Sequence, residues 1–399
     1  MKKALFIPWA FTLLETYFPV ADMLINRGFE VYFLNQLYDE RSEAGNVDKM
    51  VNRKKIHYYK KAYGFTSEVE ELSNLDDIVW IDVKNIGDIL NGRESIIDIN
   101  EKLRVSVCDY DLIVMRTEYN TWPTMNKWMK KTKVAGMPIR MMCTEINKKK
   151  CETGYIFYDQ CYKAQMKYNK KKDTILYCYS GARNLYDPRT SDEENAIENQ
   201  KDFLKNFIKI IVGENNKKLI IRGHPQYHRF ETNKYIEMIV DDICTELLIN
   251  RSLIIIRNDE FLGKELAQVE TAIFDPGASA IMKGIMFSCN ILYIDFPWRY
   301  ASRRSSWYTK LFKKYWPDLF VSSFNDLRFM FKNKCFPIIN EETNIDYFSR
   351  FFDGKCTERS VDFIVENMGE TNLHLSIDSK LQSISNRIMN KKNLRRHKI

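Results

Sequence analysis

Arg222-Gly223-His224-Pro225 places a guanidinium, a permissive turn, an imidazole and a rigid stop within four residues. It follows the apolar run 218–221, so a strand would carry His224 to a sheet edge, where Pro225 fixes the direction of the chain. There Arg222 and His224 can face a phosphate. His224 can also give a proton to a leaving group, because an imidazole titrates near neutrality. A loop histidine bonded to backbone would have the same local sequence.

Asp275-Pro-Gly277-Ala278-Ser279 follows a second apolar run, 271–274, and precedes a helical pattern. The first N–H groups of a helix lack internal partners and carry partial positive charge. A phosphate fits such a turn, with the Ser279 hydroxyl as an added donor. Asp and Ser also cap ordinary turns of this kind. Ser180-Gly181-Ala-Arg183 ends a third run, 174–179, and Gly181 permits close backbone approach while Arg183 reaches an anion. In the first half, the turn after the opening strand contains Pro8, Trp9 and Thr12 and leads to Glu15, a candidate base for an acceptor hydroxyl. Arg116 and Glu118 occupy a comparable place after 111–115.

These turns need sheets to hold them. Strand, helix, Arg27-Gly28 and strand across 3–34 spell one βαβ unit, with later strands at 78–83 and 111–115. A second series has strands at 174–179, 218–222, 252–256, 271–274 and 290–294, with helices at 191–212, 232–249 and 261–269 between them. The fold class is α/β, with two facing Rossmann-like domains and an interdomain cleft. The expected division is an acceptor domain at 1–145, a boundary region at 146–172, a nucleotide-donor domain at 173–366 and a helical, basic tail at 367–399.

The chain of 399 residues suits two domains, and 45% apolar residues exclude a disordered chain. Net charge is +8, short of a dedicated nucleic-acid binder, so no nucleic-acid partner is expected. The stretch 298–316 interleaves six Lys/Arg with seven aromatic residues. That pattern suits an anionic membrane surface, and it also suits a solvated basic face with its rings turned inward. Nine cysteines without a C-x-x-C pair read as reduced thiols, and no metal site is expected. The run Ala4 to Leu14 imitates a signal peptide but is better read as a strand entering a helix. The expected location is cytoplasmic, with a peripheral place at the inner face of a membrane as the alternative.

The second half resembles the two-domain transferases of bacterial surface polymers. Its pattern is similar to that of the CDP-glycerol glycerophosphotransferases that polymerise teichoic acid. Capsule polysaccharide transferases and nucleotide-sugar 2-epimerase-like proteins lie nearby. The resemblance is carried by IIRGHP (220–225), FDPGASAIMKGIMFSCNILYID (274–295) and FFDGKCTERSVDFIVE (351–366), and spans about half the chain. It implies a GT-B architecture with the donor in the second domain, no cofactor, and a nucleotide-activated donor such as CDP-glycerol or a UDP- or CMP-sugar. Acceptors would be polysaccharide or lipid-linked. His224 matches the functional histidine, Asp275, Gly277 and Ser279 the phosphate turn, and Glu358 and Arg359 the late segment.

Two positions depart from that pattern. No His-Gly pair occurs, and Lys283 stands where related transferases place a ribose-binding Glu. A Lys cannot accept from ribose hydroxyls. Both departures favour a general surface-polysaccharide glycosyltransferase. The expected activity is transfer of a sugar or glycerophosphate to an acceptor hydroxyl. The alternatives are a 2-epimerase-like isomerase and a non-catalytic nucleotide- or polysaccharide-binding protein.

Overall fold

The structure is a computed structural model that describes residues 1–8, 14–36, 72–84, 89, 94–99, 101–116, 128–129, 131–137, 143–147, 149–169, 171–179, 197–223, 232–257, 262–275, 280–287, 289–296, 307–337 and 351–368. Two sheets organise them. The first is built from β1 (Lys2–Phe6), β2 (Phe29–Gln36), β3 (Val79–Val83), β6 (Leu112–Arg116), β7 (Lys133–Met137), β8 (Cys143–Ile146) and β9 (Lys149–Glu152), while β4 (Ser95–Ile97) and β5 (Arg104–Ser106) form a separate two-stranded hairpin. Its order is β3-β2-β1-β6-β7-β8-β9. The first five strands run parallel, and β8 and β9 turn back antiparallel at the edge.

The second sheet contains β10 (Lys171–Cys178), β11 (Lys218–Arg222), β12 (Ile254–Arg257), β13 (Val269–Phe274), β14 (Asn290–Ile294) and β15 (Phe320–Val321). All six strands are parallel, in the order β12-β11-β10-β13-β14-β15. The direction of winding reverses between β10 and β13. In open α/β sheets that reversal opens a crevice beyond the carboxyl ends of the strands.

The helices are α1 (Leu14–Asn26), α2 (Phe157–Lys167), α3 (Ile197–Ile208), α4 (Thr232–Leu247), α5 (Leu262–Gln268), α6 (Ile281–Gly284), α7 (Trp307–Tyr315), α8 (Phe324–Asn333) and α9 (Cys356–Met368). Alternation along each strand divides the apolar residues between two faces. Tyr177, Ile221, Ile273 and Leu292 pack with Phe203, Phe207 and Val240 of α3 and α4. Leu176, Ala272 and Phe274 pack on the other face with Tyr158, Leu266 and Phe312. Both faces are buried, which is why these strands read as near-continuous apolar runs.

Residues 146–172, read from sequence as a boundary, hold β9 at the edge of the first sheet and α2, which packs on α5 beside the second. Helix α9 follows the second sheet in the chain yet completes the first. Its Val361 and Ile364 share a core with Phe6, Phe18, Val114 and Ala135, and Arg27 reaches Asp362 at 2.6 Å. The chain therefore passes between the two layers at 153–156 and again near 353–355. Both crossings use a left-handed glycine, Gly154 (φ 84°) and Gly354 (φ 75°). A Cβ at Gly154 would lie 2.6 Å from Cys356 Sγ and 2.7 Å from Phe351 Cβ, so only glycine lets these strands of chain meet.

All nine cysteines are free thiols. Among the described residues no helix is long and apolar enough to cross a membrane. The described part of the basic–aromatic stretch is the amphipathic α7. Phe312 and Trp316 enter the core, Lys313 pairs with the buried Asp295, and Lys310 and Lys314 face outward. Helical spacing thus accounts for much of the interleaving there.

Candidate active site

Parallel register aligns one residue from each of five strands along the carboxyl edge of the second sheet. Arg257, Arg222, Cys178, Phe274 and Tyr293 stand side by side on neighbouring strands. In a parallel ladder such a row shares one face, so Arg222 points where Cys178 and Phe274 point. Its side chain is 7% exposed, and its Nη1 donates to Glu265 Oε2 at 2.6 Å. Arg257 Nε donates to the other oxygen, Oε1, at 2.7 Å. Glu265, on α5, is fully buried. One carboxylate between two guanidinium groups satisfies both of its oxygens with charge-assisted bonds.

Across the reversal point, Tyr177 at the end of β10 donates its hydroxyl to Asp275 Oδ1 at 2.7 Å. Asp275 is wholly buried, and its N–H meets the carbonyl of Cys178. Tyr179 N–H bonds the Arg222 carbonyl, and its hydroxyl donates to Gln200. These contacts fix the two strand ends that precede residues 180–183 and 276–279. Burial pushes the Cys178 thiol up to about 12, against the opposing pull of Arg222, which disfavours its thiolate.

The candidates read from sequence divide into three groups. Arg222, Gly223 and Asp275 meet at this edge and are all buried. The Arg222 guanidinium, expected to face a donor phosphate, faces Glu265: strand alternation turns it into the layer under α5, where a guanidinium needs a carboxylate. Ser180, Gly181, Arg183, His224, Gly277, Ala278 and Ser279, and also Glu118, lie outside the described residues. Glu15 belongs to α1, whose first residue follows the carboxyl edge of the first sheet; its side chain lies outside the description, as does that of Arg116. Lys283, on α6, holds its ammonium 5.1 Å above the Phe157 ring.

Glu358 and Arg359 open α9. Arg359 grips Asp353 with two bonds of 2.7 and 3.1 Å and donates Nε to the Thr153 carbonyl. Burial raises the Asp353 carboxyl, but the bonds from Arg359 and from backbone outweigh it and hold the group below its ordinary value. The N-terminus of α9 is occupied: Asp159 Oδ1 and Oδ2 accept from Cys356 N–H and Thr357 N–H at 2.8 and 2.7 Å. Glu358 lines a cleft of about 380 Å³ with Asp22, Arg27, Asp159 and Lys163, along the later turns of α1.

Sequence reasoning missed Arg257, Glu265, Tyr177 and Asp159. One signal was present. The triplet Ile-Ile-Arg ends both β11 (220–222) and β12 (255–257), so an arginine terminates two adjacent strands. Glu265 had no comparable signature, since a carboxylate on a short helix is ordinarily a surface group.

No family model and no curated protein matches the sequence. Solved structures do match the fold. A protein of Listeria monocytogenes assigned as a UDP-N-acetylglucosamine 2-epimerase aligns over 93% of this chain and 97% of its own, with TM-score 0.50 and 10% identity. The UDP-GlcNAc 2-epimerase of Methanocaldococcus jannaschii, solved with UDP-GlcNAc and UDP, aligns over 92% of this chain and 100% of its own, with TM-score 0.51 and 14% identity. The chain thus has the GT-B-type fold of two Rossmann-like sheets, as expected from the sequence.

Proposed function

We propose that this protein is a GT-B-fold enzyme that binds a nucleotide-activated donor at the carboxyl edge of the second sheet and transfers a sugar or glycerophosphate to an acceptor hydroxyl. The observation that carries the reading is the concentration of buried, bonded charge at that edge. Arg222, Glu265 and Arg257 lie on one side of the reversal point, and Tyr177 and Asp275 at it. Charge is costly to bury, and this is where open α/β sheets bind ligands.

In sugar transfer the acceptor oxygen bonds to the sugar carbon as the bond from that carbon to the nucleotide's phosphate oxygen breaks. In glycerophosphate transfer it bonds to the phosphorus carrying the glycerol, and the nucleoside monophosphate leaves. Either way the acceptor proton goes to a base, for which Glu15 is the candidate, and negative charge grows on the leaving phosphate. His224 and the turn containing Ser279 are the candidates for offsetting that charge. The acceptor class we favour is a cell-surface polysaccharide or lipid-linked glycan, by the resemblance of segments 220–225, 274–295 and 351–366. The CDP-glycerol subgroup rests on that resemblance alone.

A second reading is a nucleotide-sugar 2-epimerase. The two structures above, with more than nine-tenths of each chain aligned, favour it at the level of fold. Titration calorimetry with CDP-glycerol, UDP-GlcNAc, GDP-mannose and CMP-sialic acid, repeated on His224→Ala and Ser279→Ala, tests both readings. The expected result is one selective donor whose binding both substitutions weaken. Turnover of UDP-GlcNAc without any acceptor would replace the transferase reading with the epimerase one. A folded protein that binds none of the donors would overturn both.

A further inference from the structure

Arg257 and Arg222 are register partners at the ends of adjacent strands, and one buried carboxylate holds both. Their exposures differ: the Arg222 side chain is 7% exposed, whereas that of Arg257 is 27% exposed. Arg257 uses only Nε on Glu265. Its two Nη groups have no hydrogen-bond partner among the described residues, which leaves their end-on pair of N–H donors available. A guanidinium fixed through Nε presents those donors in one plane, the geometry that takes two oxygens of a phosphate. Glu265 fixes the side chain in advance, so little rotamer freedom is left to lose on binding. The three groups sum to one positive charge. β12 lies two strands from β10, about 10 Å at ordinary sheet spacing, a span that an arginine and a diphosphate can share.

We propose that Arg257 is an anion-binding residue of the donor site, taking a phosphate of a nucleoside diphosphate in its Nη groups, and that Glu265 is the positioning residue that aims it. This rests on the nucleotide-donor reading and adds a residue to it.

Calorimetry on the full chain tests it with UDP, CDP, GDP and ADP, each beside its monophosphate, and with inorganic pyrophosphate. Wild type is compared with Arg257→Gln, Arg257→Lys and Glu265→Gln. In wild type, loss of the terminal phosphate weakens binding about 10-fold or more; in Arg257→Gln that ratio falls below about 3-fold with monophosphate affinity nearly unchanged. Arg257→Lys, which keeps the charge without the fork, falls between. Glu265→Gln lowers the ratio although Arg257 is intact; should that variant fail to fold, the two Arg257 variants decide. A structural role alone would weaken mono- and diphosphate alike, so an unchanged ratio in Arg257→Gln overturns the proposal. Pyrophosphate binding that Arg257→Gln abolishes, with no nucleotide bound, keeps the anion site and removes the nucleotide reading. Binding of neither by wild type overturns both.

Discussion

The two sheets share a strand order and differ in what they bury at their carboxyl edges. Counted from the first strand of each, both run 3-2-1-4-5, parallel throughout that span. Near its edge the first sheet buries a neutral amide against a carboxylate, Asn35 Nδ2 to Asp82 Oδ1 at 2.7 Å. The second buries two guanidinium groups against one carboxylate. The two edges thus differ in the charged groups bonded there, one carboxylate in the first and two guanidinium groups sharing a carboxylate in the second. The asymmetry teaches that chemistry in a duplicated fold resides in a few strand-end residues and not in the topology.

The sharpest way to break that contrast is to remove the shared carboxylate. Glu265→Ala removes the buried carboxylate that Arg222 and Arg257 share and should cost about 3–5 kcal/mol in urea unfolding, whereas Asn35→Ala in the first sheet should cost about 1–3 kcal/mol. Equal losses would mean that the two edges are energetically alike. A second comparison uses glycine. Gly28 and Gly154 have nearly the same backbone angle, but nothing lies within 4 Å of a Cβ at Gly28. Gly28→Ala should cost about 1–2 kcal/mol, the conformational part alone, and Gly154→Ala at least about 2 kcal/mol more.

Sequence made the two α/β series legible because doubly buried parallel strands leave long apolar runs punctuated by Gly, Pro and Ser. β11 and β14 fall at the residues expected from those runs. Short or edge elements were not legible. β8 (CTEI) buries a Thr and a Glu, β9 (KKCE) is an exposed edge strand with three charged residues in four, and β15 has two residues. The site was legible where a motif interrupts a strand end, as at Arg222 and Asp275. It was not legible where it depends on partners far apart in sequence. Nothing near Arg222 announces that Glu265, 43 positions on, is its counter-ion, and nothing near Asp159 announces that it caps a helix almost 200 residues later.

That cap provides a third test. Asp159→Ala removes acceptors from two N–H groups of α9 and should cost about 1–2 kcal/mol by thermal unfolding, with the loss seated where α9 meets α1. Hydrogen exchange that quickened only in the second sheet would show that α9 does not depend on Asp159. The smallest effect concerns Asp353. Its carboxyl sits below the ordinary carboxylate value in the fold, so its contribution is present above that value and is lost as pH falls through the lowered one. The pair is largely exposed, so Asp353→Asn should cost only a few tenths of a kcal/mol at neutral pH and nothing in strong acid. A gap that widened on acidification would reverse the sign and remove the Arg359 pairing as its cause.

Because α9 supplies Val361 and Ile364 to the core that contains Phe6 and Phe18, the layer begun first is finished last. During synthesis, the face of the first sheet that carries Phe6 is covered by α1 but lacks the part supplied by α9 until residue 368 has left the ribosome. By then every strand of the second sheet has already been made. At about 5–20 residues per second that interval lasts on the order of tens of seconds, during which an apolar face is open to chaperones or to wrong partners. A ribosome-bound chain halted before α9 should therefore expose apolar surface on its earliest segment while its middle segment is already protected from protease.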